Sequence, residues 1–184
     1  NWWGKSWNYN LERYADYHNR IGRGRSYVRN GMVLDLKIDK GEIRARVGGT
    51  RATPYSVKIE IKPLKKNVWK KIVTSVENKI DSIQALISGM FPEEFKELFL
   101  DTRDGLFPSP KEITFSCSCP DWAYMCKHVA AALYGIGMRL DKKPELFFIF
   151  FAIDTEQNTI KKMGKETYNL LNKAARKRQQ QLQL

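Results

Sequence analysis

Every cysteine of the chain, and one of its two histidines, falls within a stretch of twelve residues as Cys117, Cys119, Cys126 and His128. Three thiolates and one imidazole form a complete donor set for Zn²⁺, which takes four such ligands in a tetrahedron with bonds of about 2.0–2.3 Å. A catalytic zinc keeps one position open for water, whereas this set fills all four and points to a structural ion. Two other chemistries use the same residues less completely. A Cys119–Cys126 disulfide leaves one thiol over, and nothing else in the chain suggests a secreted, cross-linked scaffold. A Cys126–His128 nucleophile pair leaves Cys117 and Cys119 without a role and lacks a visible acid or oxyanion partner. Zinc thiolate chemistry suits a reducing compartment, so a cytoplasmic protein is expected.

The elements flanking these residues must bring the ligands together. Residues at i and i+2 share one side of an extended strand, so Cys117 and Cys119 converge if 113–119 is a strand. Pro120-Asp121 makes a turn, and the apolar run Val129-Ala130-Ala131-Ala132-Leu133-Tyr134-Gly135-Ile136 predicts a helix with Cys126 and His128 in its first turn. The order Cys-x-Cys, spacer, Cys-x-His, with a strand before and a small-residue helix after, resembles the SWIM zinc finger. That resemblance implies a strand–turn–helix unit closed by Zn²⁺ and a role in binding DNA or protein.

The 184 residues are 42% hydrophobic, enough for one sizeable core or two small ones. The longest apolar run, 146–153, has eight residues. Spanning a bilayer takes ~20, so no membrane partner is expected. No signal peptide is visible in these residues. The formal net charge is +12, and it is unevenly placed. Residues 1–63 carry +7 and 160–184 carry +6, while 64–110 are neutral and 111–159 carry −1. A polyanion would therefore be held by the N-terminal region and the tail rather than by the zinc segment.

Trp3, Trp7, Leu11 and Tyr14 lie on one face of a predicted N-terminal helix that Ser6 caps and Gly22 ends, its aromatics anchoring it to the core. Next, Arg20, Arg23, Arg25 and Arg29 surround Gly22, Gly24 and Tyr27 in a predicted basic loop. Glycine permits close backbone approach and arginine binds phosphate through two hydrogen bonds, so this loop is a candidate nucleic-acid contact. Residues 32–62 alternate as three antiparallel strands, with Leu34, Leu36 and Ile38 sharing a face and a turn at Asp39-Lys40-Gly41. Their open face carries Lys37, Arg44, Arg46 and Lys58, diluted by Asp35, Glu42 and Glu60. Residues 67–88 read as a helix with an apolar stripe from Val68 to Ile87, ended by Gly89, and a short helix follows from Pro92. The Leu146–Phe151 block caps the core or forms a docking surface. The tail adds Lys173, Arg176, Lys177 and Arg178.

The expected fold is thus α+β. Residues 1–65 form a basic helix and antiparallel sheet, 66–110 a helical connector, 111–153 the zinc finger and its following helix, and 154–184 a basic helix or tail. Trp2-Trp3-Gly4-Lys5-Ser6-Trp7, Gly22-Arg23-Gly24-Arg25-Ser26-Tyr27 and Gly31-Met32-Val33-Leu34-Asp35-Leu36 resemble the N-terminal region of prokaryotic SWIM proteins associated with Swi/Snf-type helicases. This implies a non-enzymatic accessory of a helicase or recombination ATPase that binds nucleic acid, DNA in preference to RNA. A protein adaptor docking on an ATPase, or an RNA- or ribosome-binding protein, are the alternatives.

Overall fold

A computed structural model describes residues 2–13, 18–76 and 93–151. The expectations for Tyr14, for the stripe from Ile80 to Ile87 with its Gly89 terminator, and for Pro92 lie outside the described residues. So does the whole tail with Lys173, Arg176, Lys177 and Arg178.

Alternating apolar residues build one antiparallel sheet from β1 (Val33–Asp39), β2 (Glu42–Val47), β3 (Tyr55–Ile61) and β4 (Ile113–Cys117), in that order. The expected three-stranded sheet is corrected to four, because the strand of the zinc segment pairs with β3. Val57 lies opposite Cys117 and Ile61 opposite Ile113. Both strands send every second side chain to the covered face, so this register buries Ile113 and turns Cys117 toward the helices. The β1–β2 turn falls where expected, with Gly41 in the left-handed region at φ 70°. Leu34 does not join Leu36 and Ile38. A bulge between Val33 and Asp35 lifts it out, and it is 60% exposed.

The centre of the molecule is a helix. α1 (Trp2–Glu12) and α2 (His18–Arg29) pack on α5 (Lys127–Lys142), which also touches all four strands. Between them in sequence come α3 (Lys66–Val76) and α4 (Glu93–Leu100), with Val68, Ile72, Phe95 and Phe99 buried. Ala130, Ala131, Ala132, Gly135 and Gly137 give α5 a small surface on which neighbours approach closely. α1 buries the expected stripe of Trp3, Trp7 and Leu11, and the Trp7 indole N–H donates to the Leu133 carbonyl at 2.8 Å. Ser6 does not cap it; α1 begins at Trp2 and Ser6 is buried inside it.

The predicted Gly-Arg loop is instead α2. Each interior glycine costs a helix about 1 kcal/mol relative to alanine, so local propensity argues for a loop. Tertiary packing overrides it, because Ile21, Gly24 and Val28 recur at helical spacing toward α5. Gly22 lies within α2, and the helix ends at Gly31. There the Met32 N–H reaches the Tyr27 carbonyl at 2.9 Å and the Gly31 N–H reaches Val28 at 3.0 Å, with Gly31 at φ 68°. A Cβ on Gly24 would lie 2.6 Å from the Ala130 Cβ, whereas one on Gly22 would meet nothing within 4 Å. Gly24→Ala is therefore expected to destabilise by about 1–3 kcal/mol through overpacking. Gly22→Ala should be neutral or stabilise by up to about 1 kcal/mol. Urea unfolding of the two variants checks the contrast, and equal effects would show that Gly24 is not a packing residue.

Beyond α5, Pro144 is followed by α6 (Leu146–Phe150). Phe147, Phe148, Phe150 and Phe151 are buried, and Phe147 lies 4.9 Å from Trp3 between ring centroids. The block caps the core, the first of the two roles expected of it, with Leu146 and Ile149 half-buried at its edge. No helix among the described residues is long and apolar enough to cross a membrane.

Candidate metal centre

β4 and α5 deliver the four donors from opposite sides. Strand pairing carries Cys117 to the end of β4, and the chain holds its course one residue further, where the Ser118 N–H donates to the Ser56 carbonyl at 3.0 Å. Cys119 follows the strand rather than lying in it. Cys126 is the N-cap of α5 at φ −78°, ψ 169°, and its sulfur accepts from the Val129 N–H at 3.5 Å. His128 stands in the first turn and is buried.

The four ligand atoms lie within 4.8 Å of one another. His128 Nδ1 is 3.9 Å from Cys117 Sγ and 3.8 Å from Cys126 Sγ. Tetrahedral bonds of about 2.0–2.3 Å place ligand atoms roughly 3.3–3.8 Å apart, so a central ion needs only small side-chain adjustments. The electrostatics suit it as well. A hydrogen bond with Cys117 pushes the Cys126 thiol down to about 5, and the N–H groups of Val129 and His128 act the same way against burial. The same bond, together with burial, raises the Cys117 thiol. Between them the sulfurs retain a proton that a divalent cation displaces. The donor set fits Zn²⁺.

Aromatic rings orient the histidine. Tyr55 stacks on it at 4.2 Å between centroids, Tyr27 meets its edge at 5.7 Å, and Arg51 in turn lies 4.0 Å from the centre of the Tyr55 ring. Nδ1 lies toward the sulfurs, and Nε2, which carries the proton when Nδ1 is a ligand, faces the β2–β3 loop without a hydrogen-bond partner among the described residues. A Cβ on Gly49 would stand 3.2 Å from it. Tyr55, Tyr27 and Arg51 carry no sequence signal for this role, since only the fold brings them to position 128.

The cations expected to contact nucleic acid are not equivalent. Arg20 pairs with Asp121 of the zinc loop at 2.6 Å, and Arg25 pairs with Glu12 and donates to the Tyr134 hydroxyl at 2.9 Å. Both tie α2 to its neighbours, whereas Arg23 and Arg29 are exposed. On the open face of the sheet, Lys37, Arg44 and Lys58 stand directly opposite one another across three strands. Glu42 relieves that like-charge row by pairing with Arg44 at 2.5 Å and Lys58 at 3.2 Å, and Lys58 also meets Glu60 at 2.8 Å. The Lys58 ammonium, more than Arg44, holds the Glu42 carboxyl below its usual range. Arg46 lies opposite both Asp35 and Ser56. The face is thus mixed in charge: Arg44 and Lys58 are paired, whereas Lys37 and Arg46 are exposed and, like Arg23 and Arg29 on α2, have no ion pair among the described residues.

Residues 110–135 match the SWIM zinc finger family. The chain is also 36% identical over 144 residues to the uncharacterized protein Rv2102 of Mycobacterium tuberculosis, covering 78% of this chain and 52% of that protein. It therefore spans about half the length of this relative. No solved structure matches. Family match and geometry agree on the same four residues, so the centre is a SWIM-type zinc site.

Proposed function

We propose that this chain is a non-enzymatic, zinc-stabilised nucleic-acid-binding protein, with DNA as its ligand in preference to RNA. In this reading it works in the cytoplasm as an accessory of a Swi/Snf-type helicase or recombination ATPase. The observation that supports it is the separation of its parts. Zinc locks a strand and a helix whose own segment carries −1, so the positive charge behind the net +12 of the chain lies elsewhere. On α2 that charge includes the exposed Arg23 and Arg29. Zinc fixes the scaffold, and arginines and lysines contact phosphates without reading sequence.

A salt titration of zinc-loaded protein against single-stranded DNA, duplex DNA and RNA tests this. Affinity should fall linearly on a log–log plot, and Arg23→Ala with Arg29→Ala should lower the slope by about 0.7–0.9 per lost phosphate contact while zinc is retained. Arg25→Ala is a poor probe, because it also removes the contacts to Glu12 and Tyr134. Preference for RNA would move the reading to an RNA- or ribosome-binding protein. No binding at low salt would sink it in favour of a protein adaptor on an ATPase.

A further inference from the structure

The zinc loop carries an aromatic group that the fold leaves uncovered. Trp122, between Cys119 and Cys126, is 100% exposed, whereas Trp3 and Trp7 are fully buried and Trp2 and Trp69 partly so. An indole has some of the largest apolar surface of any side chain and is normally well covered. The loop that presents it is held on both sides. Asp121 accepts from Arg20 at 2.6 Å and from the Ala123 N–H at 3.1 Å. The Tyr124 hydroxyl donates to the Ile113 carbonyl at 2.7 Å, its ring lies 5.1 Å from Phe115, and it remains 53% exposed. Two metal ligands close the ends.

Two cations without an ion pair among the described residues flank this loop. Arg51 reaches the Ser118 hydroxyl at 3.4 Å, and Lys127 follows Cys126 directly, its ammonium 5.2 Å from the Tyr27 ring. Arg20 and Asp121 of the loop itself offset one another as an ion pair. A presented ring on a loop flanked by cations suits a base with its phosphates.

We propose that Trp122 is a stacking anchor for an unpaired base, and that Arg51 and Lys127 take the neighbouring phosphates. The zinc loop then selects single-stranded over duplex nucleic acid, because an unpaired base can offer its face to the presented ring. This rests on the nucleic-acid reading above, and it adds a contact that charge along the sequence does not indicate.

The test is a fluorescence titration of the full, zinc-loaded chain with oligo(dT), oligo(U) and a DNA duplex of equal length. Single strands should quench tryptophan emission and bind more tightly than duplex. Trp122→Ala should remove most of the quenching and weaken single-strand binding by roughly tenfold to a hundredfold, the loss of one base–aromatic stack. Trp122→Phe should restore much of the affinity, and both variants should keep their zinc because the side chain is outside the fold. The oligo(dT) and oligo(U) arms separate DNA from RNA. Unchanged single-strand affinity in Trp122→Ala overturns the stacking role alone and leaves phosphate binding standing. Absence of binding to all three probes overturns both readings.

Discussion

Stripping zinc from the protein is expected to cost it about 4 kcal/mol or more, the stabilisation supplied by a ligand present at a thousandfold over its dissociation constant. For a chain of this size the melting temperature should fall by roughly 10 °C or more. The reason is positional. Cys117 ends the edge strand β4, Cys126 caps the central helix α5, and the four donors tie these two elements together. Without the ion, buried His128 and Cys126 lose the partner that justifies their burial. The single substitutions should be graded. Cys126→Ala removes a buried ligand and the helix cap together, so it should be the most damaging. Cys119→Ala removes a half-exposed ligand beyond the strand and should be the mildest. Zinc affinity should rise with pH, because the ion displaces the proton held between Cys117 and Cys126. Scanning calorimetry before and after chelation, with metal content measured for each variant, checks all three. A melting temperature unmoved by chelation would show that the ion is not structural.

Trp7→Ala should be the most damaging change away from the metal, at about 3–5 kcal/mol. The ring is fully buried between Phe107 at 6.5 Å and Phe150 at 6.0 Å, and its N–H holds the Leu133 carbonyl. Truncation opens a cavity between α1, α5 and the aromatic cluster. Domains are stable by only about 5–15 kcal/mol, so this is a large share of the total. Trp7→Phe keeps the ring contacts, loses the hydrogen bond and should cost less than half as much. Urea unfolding followed by circular dichroism measures both, and a loss below about 1 kcal/mol for Trp7→Ala would mean that α1 is not part of the core. Zinc content should stay unchanged in both, which separates this effect from the first.

The two parts of the molecule differ in how much of them the residues announce. The metal site is legible almost entirely, because its ligands are rare residues at short spacing and the flanking strand and helix are local. Cys117 and Cys126 each sit within two residues of a second donor, so no distant contact is needed to propose the set. The stripe of Trp3, Trp7 and Leu11 is legible for the same reason: periodicity of 3.6 is written in neighbouring residues. The Gly-Arg segment misleads because glycine reports a local cost, while the gain that makes α2 a helix comes from Ala130 and Ala131, more than a hundred positions away. The Leu146–Phe151 block is ambiguous by composition, since core and docking surface use the same residues.

What the sequence by itself determined is therefore the zinc chemistry, the α+β class and the uneven charge, all properties of residue type and short-range order. What only the tertiary structure decided is the pairing of β4 with β3, the pairing of Arg44 and Lys58 with Glu42 and Glu60, the stacking of Tyr55 on His128, and the exposure of Trp122. Each depends on which distant residues become neighbours. That is settled by the joint burial of apolar faces on α5, a long-range free-energy balance that no local window contains.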